Sequence, residues 1–459
     1  MTKPLFENFD KVSAKQWKQK IQFDLKGLDY NETLVWKSND DISVKPFYHA
    51  DDFTTPHLRP NTKATQWEIC ECIYVADVGK SNQQAINSLN RGAESIKFII
   101  PSEDIPVDDL LKGIDLSSTG VHFEFQFLSL DFIKKLSAFP TKAGIQVNND
   151  IIGNLAKQGN FFFSLNEDFK RFEDITAFTK SFSVDLSLYQ NSGANMVQQL
   201  AYGLAHANEY LNHLNNSIFK GKELNYQSLE VLFNVSVGTN YFFEIAKLRA
   251  LRILWDRLSS EYNCNSHCHI MVTPTKRNKT IYEYNNNMLR TTTECMSAIM
   301  GGANTICNLP YDSIYHKSNH FGTRIARNQL LILKHESYFD KVDNPSDGAY
   351  YIESLTNQLA EKALKLFKDI EANGGFLRQL KAGTVQRKIK ESASKEQQDF
   401  INGHEVLLGT NKHPNIMDKM KHELELYPFV KTKPRKTLIE PIIEKRLAET
   451  LEKERLNKE

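Results

Sequence analysis

The densest run of metal-type ligands in this 459-residue chain is Cys264-Asn-Ser-His267-Cys268-His269. Zinc sites usually pair ligands two to four residues apart and take a second pair from elsewhere in the chain. Here four candidates crowd into six residues and no CxxC pair accompanies them. The plainer reading is a loop entering the strand His269-Ile-Met-Val-Thr-Pro274, and no metal is expected. Asp185 and Glu294 are single acids inside apolar patterns. Each could act in a barrel, but acids so placed are more often paired structurally. Arg324 and Arg327, in Phe-Gly-Thr-Arg-Ile-Ala-Arg-Asn-Gln, share one helix face. They could grip a phosphate or carboxylate, although a salt bridge is the plainer role. There is no GxGxxG, no Walker loop and no GxSxG elbow, so dinucleotide, nucleotide and hydrolase chemistry lack their physical anchor.

The elements that would position these residues alternate between β-type and helical runs. Strands are expected at 67–75, 96–101, 121–127, 143–148, 161–166, 182–189, 229–237, 269–274 and 303–309. Helical spacing of Val197, Leu200, Ala201, Leu204, Ala205 and Leu211 marks one strong helix, with others over Gln329–His335 and Leu355–Phe367. Strand and helix in alternation imply parallel βαβ units. Nine candidate strands against the eight of a closed barrel favour a (β/α)8 barrel, with one strand over-counted. Residues 1–55 read instead as an arm: an amphipathic stretch from Trp17 to Leu28, then the extended Ile42-Ser-Val-Lys-Pro-Phe-Tyr48. Such an arm must lie on its own barrel or on another chain. Residues 56–414 would be the barrel, and 415–459 a charged helical tail at the surface.

The formal net charge is +1, which removes any general pull toward nucleic acid or acidic membrane. The N-terminus has no apolar core of a signal peptide, and no run of about 18 apolar residues suits a membrane span. Six cysteines, three of them in or beside apolar runs, suit free thiols in a reducing cytoplasm.

Three motifs then occur in order. Tyr284-Asn-Asn-Asn-Met-Leu-Arg-Thr-Thr-Thr-Glu-Cys-Met-Ser-Ala-Ile-Met-Gly-Gly302 resembles the YNNxxRTxxEAMAAxxGG stretch of methylmalonyl-CoA mutases. Phe321-Gly-Thr-Arg-Ile-Ala-Arg-Asn-Gln329 is similar to FSARIARNTQ, and the run from Val342 to Thr356 is similar to VxDPxGGSYYVExLT. Ile42 to Tyr48, Ser192 to Tyr202 and Leu408-Gly-Thr-Asn-Lys412 resemble three further motifs of the family. The resemblance implies a (β/α)8 barrel for an acyl-CoA, an arm that wraps a partner, and dependence on adenosylcobalamin.

The departures imply a role without catalysis. The DxHxxG motif, whose histidine ligates cobalt in the family, does not occur here, and the chain ends where the cobalamin domain would begin. Set against the family's patterns, its catalytic tyrosine falls on Thr62, its substrate-facing histidine on Leu188 and its barrel arginine near Gln158. The resemblance is therefore to the small subunits of heterodimeric mutases. No cofactor would be bound by this chain; adenosylcobalamin would sit in the large catalytic subunit. Trp17, Trp36, Phe47 and Tyr48 are the expected interface residues. Two alternatives stand beside this: the acyl-CoA barrel of a split mutase with a separate cobalamin protein, and an acyl-CoA-responsive or chaperone-like module. Phe123, Phe125 and Phe127, with Phe161, Phe162 and Phe163, are expected to send aromatic rings into the barrel and fill it.

Overall fold

A computed structural model of the chain describes residues 8–53, 60, 62, 64–136, 138–139, 146–218, 229–264, 267–431 and 434–459. Eight strands form one parallel sheet: β1 Glu68–Tyr74, β2 Ser95–Ile100, β3 Gly120–Phe125, β4 Gln146–Asn148, β5 Ser181–Asp185, β6 Glu230–Val237, β7 Cys268–Pro274 and β8 Thr305–Cys307. Their order is β4-β3-β2-β1-β8-β7-β6-β5, a nearly closed (β/α)8-type barrel with helices around it. Every ladder pairs neighbours in parallel, and no ladder joins β4 to β5 among the described residues. That gap is a seam in the wall.

Alternation along the strands sorts the side chains. On β2 Ile96, Phe98 and Ile100 are buried outward, and on β3 Val121 and Phe123 join them against the helices. The alternate positions, such as Cys70, Lys97, His122, Glu124, Ser183 and Asn234, point inward. The expected plug of aromatic rings is thus absent. Phe98 and Phe123 stack at 6.1 Å outside the sheet, while Phe125 and Phe127 pack edge-on to Phe132 of the helix Leu130–Leu136 and, with Phe161 and Phe162, border the open cavity without filling it. Phe161–Phe163 form no strand. They lie in a loop that ends at Ser164, which caps the helix Leu165–Thr179, and the Phe162 and Phe163 amides donate to Asp168 at 2.8 and 3.0 Å. Removing that ninth candidate leaves the eight strands of the barrel.

The long helices Met196–Ile218, Tyr241–Glu261 and Tyr350–Ala372 supply most of the outer core. The segment from Trp36 to Val44 lies on this layer: Ile42 is fully buried, Trp36 meets Phe243 edge-on and Lys362 pairs with Asp41. The helix Ala14–Asp24, by contrast, buries none of its residues. The segment from 415 onward, expected to be helical, carries one helix among its described residues, Glu449–Leu456. The rest is an irregular strap with buried anchors at Met420, Phe429, Ile439, Ile442 and Leu447.

Asp40 fastens the arm to the barrel by accepting a hydrogen bond from the Met196 amide at 2.6 Å. Burial raises its pKa to about 6, with the Met196 and Val197 amides and Lys247 opposing the rise and Glu244 adding to it. An acid whose folded pKa is raised stabilises the fold most when protonated, so its contribution falls as pH climbs from its ordinary value to about 6. Asp40→Asn keeps the acceptor and removes the charge. Its thermal stability should match the parent near pH 4 and exceed it by about 1–3 kcal/mol near pH 8. Melting curves across that range check this, and a gap that does not widen with pH would contradict it.

Candidate functional site

Most inward side chains are small or polar, Leu232 and Met271 beside Cys70 and Cys307 being the apolar exceptions, and the barrel is hollow. A cavity of about 1440 Å³ occupies it and opens at the C-terminal ends of the strands, the end where barrels of this type place their sites. Lys97 on β2 and Glu124 on β3 meet at 2.7 Å inside it, and the Lys97 charge holds the Glu124 carboxyl below its ordinary value. Deeper, His122 and His269 face each other with ring centroids 5.6 Å apart, and His269 shares a 2.9 Å hydrogen bond with Thr305. Burial, with Arg252 nearby, lowers the His269 pKa to about 4, so this ring is neutral near pH 7. Buried Asn148, Ser183 and Asn234 side-chain atoms line the cavity without protein hydrogen-bond partners. The chamber can therefore hold a polar guest or water.

One carboxylate organises the seam. Asp150 follows β4 and caps the helix Ile151–Gln158, accepting from the Gly153 amide at 2.7 Å. Its other oxygen accepts from the Asp185 amide at the end of β5, also at 2.7 Å. Tyr210 donates to it at 2.6 Å and His206 Nε2 lies 2.9 Å away, with Tyr189 bonded to the far ring nitrogen at 3.0 Å. Burial opposes its charge, yet His206 and the donors more than offset this, and its pKa lies below the ordinary value.

The strap forms part of the rim. Arg435 donates to the Gln158 carbonyl and side-chain oxygens at 2.7 and 3.0 Å. Leu438 and Ile439 donate to the Gly159 carbonyl, and Lys445 to that of Asn191. Gly159 sits at φ 78°, and a Cβ there would come within 2.8 Å of the Ile439 carbonyl. Only glycine allows this approach.

Of the three positions set by the family's motifs, Gln158 alone lines the cavity. Leu188 is buried in the main apolar core. Thr62 packs under Gly302, just before β8, and bonds Asn344. The three do not converge. Asp185 does line the chamber, bonded to Ser187. Glu294 is paired with Lys279 at 2.8 Å in the interior, Arg327 is paired with Glu71 at 3.0 Å on the cavity lining, and Arg324 lies over the Phe321 ring. The cysteine–histidine run is divided by strand alternation: His269 points into the barrel and Cys268 outward to Arg252. Asp150, Lys97 and Glu124 were not singled out by sequence.

A family model described as methylmalonyl-CoA mutase matches residues 99–455. The chain belongs to the methylmalonyl-CoA mutase family. It is 35% identical to the methylmalonyl-CoA mutase small subunit of Porphyromonas gingivalis, over 90% of this chain and 72% of that protein. It is 26% identical to the small subunit of Streptomyces virginiae, with the same coverage. Against the methylmalonyl-CoA mutase of Rhizobium meliloti the identity is 28%, and the chain spans 61% of that protein's length. No helix among the described residues is long and apolar enough to cross a membrane.

Mutases of this family generally depend on cobalamin. His316, on the cavity lining, faces Asp312 at 3.4 Å. No group of three or more ligating side chains stands ready for a metal among the described residues.

Asp150→Ala removes the clip and leaves buried donors unpaired, which should cost about 3–5 kcal/mol in urea unfolding. Amide exchange in Gln146–Asn148 and Ser181–Asp185 should accelerate more than elsewhere in the sheet. Uniform acceleration would mean that Asp150 does not hold the seam.

Proposed function

We propose that this chain is the small, non-catalytic subunit of an adenosylcobalamin-dependent methylmalonyl-CoA mutase. It pairs in the cytoplasm with a large catalytic subunit that interconverts (R)-methylmalonyl-CoA and succinyl-CoA. The observation that carries the reading is Leu188. Where the family's pattern has a substrate-facing histidine, this chain has a leucine buried in its apolar core. Thr62, in place of the tyrosine, is also buried away from the cavity. The likeness to proteins named small subunits supports the same role. Cobalamin in the complex is then held by the partner, since these residues contain no DxHxxG histidine.

The arm supports pairing. Trp17 and Trp36 are about half exposed, and Phe9, Phe23 and Leu28 more so. Phe47 and Tyr48 play a different part: Phe47 sits beneath Trp17, and Tyr48 rests on Tyr351. They brace the arm, and Trp36 rests edge-on against Phe243, while Trp17 and Phe23 keep exposed faces. Exposed aromatic anchors of this kind dominate binding when a partner covers them. Trp17→Ala with Phe23→Ala should weaken association with the co-expressed large subunit by about tenfold or more, with little change in the melting temperature of this chain. Unchanged affinity in a titration would remove the arm from the interface.

The hollow, polar barrel favours a second reading, the acyl-CoA-binding barrel of a split mutase. Calorimetry on the isolated chain separates the two. The small-subunit reading expects no saturable succinyl-CoA binding at micromolar ligand and no corrinoid retained after filtration with adenosylcobalamin. A one-to-one succinyl-CoA isotherm would establish the split-enzyme reading instead.

A further inference from the structure

Three of the six cysteines border the barrel cavity: Cys70 and Cys72 on β1, and Cys307 at the end of β8. The β1–β8 ladder sets Cys70 directly opposite Cys307. Side chains opposite each other on neighbouring strands share a face, with backbones about 4.8 Å apart. Disulfides span Cα separations of about 4.4–6.8 Å. The Cys70 thiol, which donates to the Glu71 carbonyl at 3.8 Å, is close enough to Cys307 to raise its pKa, with burial adding to the rise. They are packed with Leu232 and Met271 in one buried cluster, across the barrel from the seam between β4 and β5.

The remaining cysteines have different surroundings. Cys268 faces Arg252, with its sulfur 3.6 Å from the guanidinium. Cys295 donates to Asn308 at 3.4 Å, and Cys264 is half-buried beyond the helix Tyr241–Glu261. Cys72 is the exposed thiol of the cavity, and its partner across the β1–β2 ladder is Lys97. On the other side the β1–β8 ladder ends at Cys70 and Cys307. Among the described residues, Cys70 and Cys307 are the cysteines placed as direct partners on paired strands.

We propose that Cys70 and Cys307 form a reversible disulfide site inside the barrel, oxidised by a small peroxide that enters through the mouth. One thiol gives up its proton and its sulfur attacks the O–O bond of hydrogen peroxide. That bond breaks, a sulfenic acid forms and one water leaves. The second sulfur, losing its own proton, attacks the sulfenic sulfur; the S–S bond forms and a second water leaves. The sulfur pair loses two electrons, and one peroxide becomes two waters. Hydrogen peroxide is close to water in size, so a chamber that admits water admits it. Reaction is slow, because the Cys70 contact and burial hold Cys307 in the thiol form. The site does not depend on the proposed subunit role.

Full-length protein treated with hydrogen peroxide and then alkylated should lose about 2 Da per chain before alkylation. Peptide mapping should join the Cys70 and Cys307 peptides, and dithiothreitol should separate them. Cys72→Ser should retain the cross-link, while Cys70→Ser and Cys307→Ser should abolish it. The wild-type map is decisive even if a variant folds poorly. Oxygen added at Cys72 while Cys70 and Cys307 remain alkylatable overturns the proposal. So does a cross-link between any other pair of cysteines.

Discussion

The barrel closes on a carboxylate where other pairs of strands close on a ladder. Between β4 and β5 the backbone pairing stops, and Asp150 spans the break by capping one helix while accepting from the amide that ends β5. A charge buried there is tolerable only because four donors converge on it. Tyr210, from the helix Met196–Ile218, and His206 beside it are therefore as much a part of barrel closure as any strand. The polar groups of Asn148 and Ser183 flank the same break, so the seam and the hollow share a wall.

Much of this architecture was legible in the sequence. Eight of nine strand positions were readable from apolar runs between helical segments, and the family from three ordered motifs. The ninth failed because three phenylalanines in a row imitate a strand. The corrective signal was present: Ser164-Leu-Asn-Glu167 is a capping sequence, and Ser164 does cap the next helix. The interior was misread for a related reason. Alternation fixes that half the side chains of β3 point inward, and which half follows from the polar members. His122 and Glu124 could not both face a layer of apolar helices, so the phenylalanines had to. The lysines and glutamates of the tail suggest a helix. Its prolines at 428, 434 and 441 break helical continuity.

The organisation of the site was less legible. Asp150, Asp185, His206 and Tyr210 are spread over sixty residues and follow no short pattern, so only folding brings them together. The ion pairs Lys279–Glu294 and Arg327–Glu71 likewise gave no local clue to their partners. Thr62, Leu188 and Gln158 stand at positions implied by the family's motifs, and they lie apart, beneath Gly302, in the apolar core and on the cavity lining.

The strap across the rim also sets an order in time. The rim helix Ile151–Gln158 leaves the ribosome roughly 280 residues ahead of the strap that binds it, an interval of about tens of seconds at ordinary elongation rates. Throughout that interval Gly159 and Asn191 present open carbonyls and the mouth lacks one side. A nascent barrel is thus widest while the strap is still being made, and the strap is the stitch that narrows it.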